Sequence, residues 1–121
     1  MIEATCHCEA VKFEVAHAPE WVNSCNCSIC RRLGTLCAYY ALGEVRLVSP
    51  DPPLGDYVWG DRMITFHHCQ VCGCPTHWTP NGEEHPDRMG FNARLFDPEV
   101  MAGVRIRRFD GAKTWKFLDE G

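Results

Sequence analysis

Nine cysteines are spread over 121 residues, and eight of them fall in three short clusters. Cys6 and Cys8 form C-x-C. Cys25, Cys27 and Cys30 form C-x-C-x-x-C, and Cys69, Cys72 and Cys74 form C-x-x-C-x-C; Cys37 stands apart. Thiolates one or two residues apart reach a single ion from one tight turn, and zinc takes four of them in a tetrahedron. Gly73, just after Cys72, suits the positive φ that such a turn needs. A metal that joins distant pairs closes a long loop, which makes Cys6, Cys8, Cys69 and Cys72 the expected closed, structural zinc site. It would tie the first strand to the strand ending at His68.

The middle cluster offers three ligands instead of four. Zinc on Cys25, Cys27 and Cys30 keeps one position open, as catalytic sites do, and an exchangeable thiol could be held there as thiolate. The same site becomes structural if Cys37, Cys74, His67, His68 or His77 supplies a fourth donor. A redox C-x-x-C at Cys27–Cys30 is the weaker reading, because the expected βαβ setting is absent.

Composition narrows the classes further. The net charge is −4 with both signs mixed along the chain, which leaves no electrostatic footprint for nucleic acid. Arg105, Arg107 and Arg108 make the one basic cluster and read as the exposed side of a strand. No stretch approaches the roughly 18 apolar residues of a membrane-spanning helix, and the N-terminus lacks a signal-peptide pattern. A cytoplasmic location is expected, with no membrane partner. In a reducing compartment an odd set of closely spaced cysteines is not a disulfide framework.

The elements that must position these thiols read mostly as strands. Residues 9–16 alternate, with Val11, Phe13 and Val15 on one face and Lys12 and Glu14 on the other. Half-buried patterns recur at 36–42, 44–48, 63–68 and 104–109, with shorter candidates at 57–59, 76–79 and 89–92. Pro- and Gly-bearing turns separate them at 49–53, 60–61 and 80–82. Two short helical turns are expected. One is Ser28–Leu33, opened by Ser28 as a cap and closed by Gly34; the other begins at Asp97. Length and pattern predict one antiparallel all-β domain over residues 1–121.

Three segments carry a family resemblance: Thr5-Cys-His-Cys-Glu-Ala-Val-Lys-Phe-Glu-Val15, Ser24-Cys-Asn-Cys-Ser-Ile-Cys-Arg-Arg-Leu-Gly34 and His68-Cys-Gln-Val-Cys-Gly-Cys74. With Gly90-Phe-Asn-Ala-Arg-Leu-Phe-Asp97 and Arg108-Phe-Asp-Gly-Ala-Lys-Thr-Trp115, they resemble the glutathione-dependent formaldehyde-activating enzyme family. The resemblance implies a β-sandwich or β-tent fold. It implies a structural zinc on Cys6, Cys8, Cys69 and Cys72 and a second, catalytic zinc on Cys25, Cys27 and Cys30 that receives the glutathione sulfur. Cys74 departs from the pattern, standing where a small hydroxyl residue is expected.

The implied activity is that of a carbon–sulfur lyase, forming or cleaving an S-hydroxymethylglutathione-like adduct of a small thiol and a small aldehyde. The rival reading is a non-catalytic, zinc-stabilised binding module, and an exposed edge strand would permit a homodimer. Arg31, Arg32 and Arg62 could meet glutathione carboxylates. His67, His68 and His77 lie nearest a cysteine cluster as proton donors. Trp21, Trp59, Trp78 and Trp115 are expected to fill the core or a cleft wall, Tyr39 and Tyr40 to face opposite ways, and Cys37 to act as a small buried hydrophobe.

Overall fold

The computed structural model describes residues 1–82 and 87–118. At the N-terminus, β1 (Ile2–Thr5) and β2 (Lys12–Val15) pair antiparallel with Ala4 opposite Phe13. The alternation read from sequence holds, since Val11, Phe13 and Val15 are buried and Lys12 is exposed. The strand is shorter than its pattern, however. Glu9 takes a φ of 66°, and Cys6 N–H donates to Val11 O while Glu9 N–H donates to Cys6 O, so residues 6–11 form a turn.

A second sheet holds most of the remaining strands. These are β3 (Trp21–Cys25), β4 (Cys37–Ala41), β6 (Leu54–Tyr57), β7 (Ile64–Cys69), β8 (Pro75–Pro80), β9 (Arg88–Asn92) and β10 (Arg105–Phe109). Their order is β10-β3-β4-β9-β8-β7-β6, while β5 (Val45–Leu47) joins the small sheet beside β2. Every pair is antiparallel except β10 with β3, which run parallel with Phe109 level with Cys25. Two short helices complete the fold, α1 (Ser28–Leu33) and α2 (Pro98–Met101). Among the described residues, no helix is long and apolar enough to cross a membrane.

The two sheets face each other across a core centred on Phe13. Its ring meets Phe91 edge-on at 5.1 Å and His77 at 5.2 Å, the geometry that aromatic quadrupoles favour. Tyr40 lies on this inner face, with its ring 6.5 Å from Phe91 and its hydroxyl donating to His17 O. Tyr39 points the other way, toward Trp21 and Trp78. The expected opposition of the two tyrosines is therefore found.

Several expectations need correction. Two strands lie outside the expected set: β1, whose alternation spans only four residues, and β3, which carries no clear alternation. The strand expected at 57–59 lies earlier, at Leu54–Tyr57, because Gly60 turns the chain with a φ of 62°. The N-cap of α1 is Cys27, not Ser28: its sulfur accepts the Cys30 N–H, and Gly34 closes the helix in the left-handed region as expected. Trp59 and Trp115 are exposed and fill no core. The three arginines of β10 do not share an exposed side, because adjacent strand residues point oppositely. Arg107 is half-buried, with its guanidinium 4.3 Å from the Trp21 ring centre and 3.7 Å from that of Phe117.

His77 gives the core a pH dependence. It stacks on His67 at 4.4 Å, and burial, aided by the neighbouring His67, pushes its pKa down to about 3. Unfolded, the group titrates near 6.5. Between those values the unfolded chain binds a proton that the native chain refuses, so stability falls as pH drops below about 6.5. We expect acidification from pH 7 to pH 5 to cost about 2 kcal/mol through this residue. His77→Phe should lose that part of the slope in denaturant melts at the two pH values; parallel slopes for both proteins would refute the assignment.

Candidate metal centres

The first group is assembled from two turns. Cys6 follows β1, Cys8 lies in the turn before β2, Cys69 ends β7, and Cys72 lies in the turn before β8. That second turn is tied by Gly73 N–H to Cys69 O at 2.8 Å and Cys69 N–H to Cys74 O at 2.9 Å, and Gly73 takes the expected positive φ of 82°. The four sulfurs lie within 4.8 Å of one another. Cys8 Sγ is 3.6 Å from both Cys6 Sγ and Cys69 Sγ.

Those contacts test whether a metal fits. A disulfide would be about 2.05 Å, so these sulfurs are not bonded, and all nine cysteines are free. A tetrahedron with zinc–sulfur bonds of about 2.3 Å has edges of about 3.8 Å, close to what is found. The backbone also prepares the thiolates. N–H groups of Cys74 and Cys8 lower the Cys72 pKa to about 5, and Val11 N–H donates to Cys6 Sγ at 3.4 Å. The donor set and its spacing fit a thiophilic divalent ion.

The second group sits where β3 passes into α1. Cys25 ends the strand, Cys27 caps the helix and Cys30 lies in its first turn. Cys27 N–H donates to Cys25 Sγ at 3.4 Å and Cys30 N–H to Cys27 Sγ at 3.5 Å, and the three sulfurs lie within 4.8 Å of one another. Negative charge concentrates on Cys25. The Cys30 thiol donates to it, and the N–H groups of Cys27 and Gly111 add to that effect, so its pKa falls to about 5 against the opposing effect of burial. Cys30 is pushed up by the same contact and by its own burial. Beside this group lies a cavity of about 300 Å³ whose lining includes Cys25, Cys30, Asn26, Arg31, Arg94 and Arg108.

Among the described residues, none of the expected fourth donors joins the three. Cys37 lies against Trp78 and Tyr39 on the outer face of the large sheet, and burial pushes its thiol up to about 11. Gly90 leaves it room, since a Cβ there would come 2.7 Å from Cys37 Sγ. His67 is held by Asp56 and Thr79, each at 2.8 Å. His77 is half-buried against Phe13, and the His68 ring lies over Gly55. Cys74 packs against the core edge outside both groups. Of the arginines singled out in the sequence, Arg31 lines the cavity, Arg32 donates to Ser28 O, and Arg62 sits in the turn after Trp59, outside the lining. Arg94 and Arg108 were missed. Arg94 follows β9 and Arg108 lies on β10, and the fold brings both to the one cavity.

Residues 1–106 match the model of a family described as glutathione-dependent formaldehyde-activating enzyme. A crystal structure of a Rhodobacter sphaeroides protein is similar over 87% of this chain and 99% of that one, with a TM-score of 0.71 and 30% sequence identity.

The charge distribution has a direct chemical readout. In chelator-treated protein at pH 6.5, iodoacetamide should modify Cys25 at least about tenfold faster than Cys37, because the thiolate is the reacting form. Peptide mapping would follow both sites, and comparable rates would contradict the assignment.

Proposed function

Because the chain belongs to the glutathione-dependent formaldehyde-activating enzyme family, we propose that it forms or cleaves a carbon–sulfur adduct between a small thiol such as glutathione and a small aldehyde such as formaldehyde. The observation that carries this reading is the group of three sulfurs bordered by a cavity. In this reading Cys6, Cys8, Cys69 and Cys72 hold a structural zinc, and Cys25, Cys27 and Cys30 hold a second. Zinc at the second site supplies the positive charge that keeps one further thiol ionised at neutral pH.

The chain's own groups do the rest. Cys25 and Cys30 present the site to the cavity, and Arg31, Arg94 and Arg108 line the same space. Guanidinium groups bind carboxylates through paired N–H donors, so an anionic thiol such as glutathione is oriented with its sulfur toward the cysteines. The Arg94 Nε–H donates to Gly34 O, which fixes one edge of its guanidinium at the cavity wall. The thiolate sulfur then attacks the aldehyde carbon, the carbonyl electron pair moves to oxygen, and that oxygen takes up the proton the thiol released. The reverse breaks the carbon–sulfur bond. Holding both reactants in one cavity, with the thiol oriented by the arginines, would supply the gain in rate.

The test pairs metal content with turnover. Protein purified without chelator or added metal should carry two zinc ions per chain, and Cys25→Ser should carry one. Exchange between ¹³C-formaldehyde and its glutathione adduct, followed by NMR, should run faster with the protein and return to the uncatalysed rate with Cys25→Ser. A single zinc in the unaltered protein, with no acceleration, would leave a zinc-stabilised binding module as the better description.

A further inference from the structure

The three-cysteine group has a neighbour that its own sequence motif does not contain. β10 runs parallel to β3 with Phe109 level with Cys25, so both strands end at the same edge of the sheet. The segments that follow them, Asn26-Cys27 and Asp110-Gly111, therefore leave side by side. Asn26 lies between two of the sulfur donors and is bolted to the other segment by three hydrogen bonds. Its N–H donates to Phe109 O at 3.2 Å, its Nδ2 donates to Asp110 Oδ1 at 3.0 Å, and its Oδ1 accepts from Ala112 N–H at 3.0 Å. Asp110 Oδ2 is taken by the N–H and the hydroxyl of Thr114, at 3.2 and 2.9 Å. Asp110 N–H donates to Lys116 O and Asp110 O accepts from Trp115 N–H, both at 2.8 Å.

This bracing presses Gly111 onto the sulfurs. A Cβ at Gly111 would come 2.7 Å from Cys25 Sγ and 3.2 Å from the Cys27 Cβ. Gly111 is not among the residues with positive φ, so glycine is needed there for space and not for backbone freedom. We propose that the 110–114 segment is a latch on the three-cysteine group, with Gly111 the positioning residue that lets backbone lie against Cys25 and the Asp110–Asn26 pair the brace that holds it there.

The latch has two consequences. It covers one flank of Cys25, while Cys25 and Cys30 stay open to the cavity on another. It also orients a neighbouring carboxylate, since Asp110 Oδ1 accepts from Asn26 and Oδ2 from Thr114. Among the described residues the group keeps three protein sulfurs, braced by a segment that supplies none of them.

The inference rests on the reading that Cys25, Cys27 and Cys30 bind a metal, and cobalt(II) titration of the metal-free protein separates the two ideas. The unaltered protein should take up two equivalents, each with thiolate-to-cobalt absorption. Gly111→Ala should retain the first equivalent and bind the second at least about tenfold more weakly, with a shifted ligand-field band. Gly43→Ala is the control, because nothing lies within 4 Å of a Cβ at that glycine. It should titrate like the unaltered protein. Should Gly111→Ala not fold, Asn26→Ala serves instead. It breaks the brace without adding an atom near sulfur and should weaken the second equivalent alone. An unchanged second equivalent and band in the variant that folds would overturn the latch. Only one equivalent in the unaltered protein would overturn the metal reading itself.

Discussion

The sulfurs of Cys8 and Cys69 lie 3.6 Å apart although 61 positions separate them in the chain, and the two sheets depend on that closure. Cys6 and Cys8 belong to the hairpin of the small sheet, and Cys69 and Cys72 to the β7–β8 turn of the large one. Closing so long a loop costs on the order of 4 kcal/mol in chain entropy, by the logarithmic dependence on loop length. Four thiols at non-bonded contact, two of them fully buried, also cannot all ionise without a cation between them. A chain of this size has a modest core, centred on Phe13 and Phe91, and a metal cross-link at this point would offset what the core does not supply.

The alternation of side chains along β-strands then separates structure from chemistry. Val22 and Tyr40 point inward to the core, whereas Trp21, Asn23, Cys37 and Tyr39 share the outer face of the large sheet. Cys25 lies in the same outward series as Trp21 and Asn23, two residues beyond the latter. It thus reaches the sheet edge already turned toward the helix cap at Cys27. A one-residue slip in β3 would bury Cys25 and expose Val22, so the hydrophobic register that stabilises the sandwich also aims the first ligand.

Much of this was legible along the chain because it depends on local patterns. Cysteine spacing identified both groups, Gly34 marked the end of α1, and the alternation at Val11, Phe13 and Val15 marked the face that meets Phe91. Where sequence reading failed, the controlling interactions were non-local. β3 is a strand because its neighbours pair with it, not because its own residues alternate. Arg107 reads as a surface arginine until the fold sets Trp21 and Phe117 beside it. Ser28 has a capping side chain, yet Cys27 caps, since the turn that brings the three sulfurs together also aims the Cys27 sulfur at the Cys30 N–H.

The residue order alone fixes the three cysteine clusters and the all-β character of the chain, because each cluster and each strand pattern follows from spacings of one to three residues. The tertiary structure decided which residues surround the second group. Arg94, Arg108 and Gly111 lie far from Cys25 in sequence, and only the parallel register of β10 on β3 and the folding of the chain beyond β9 bring them beside it. Ligand identity travels along the chain with the residue types; the shape and charge of the space in front of the ligands belong to strand pairing, which no local pattern encodes.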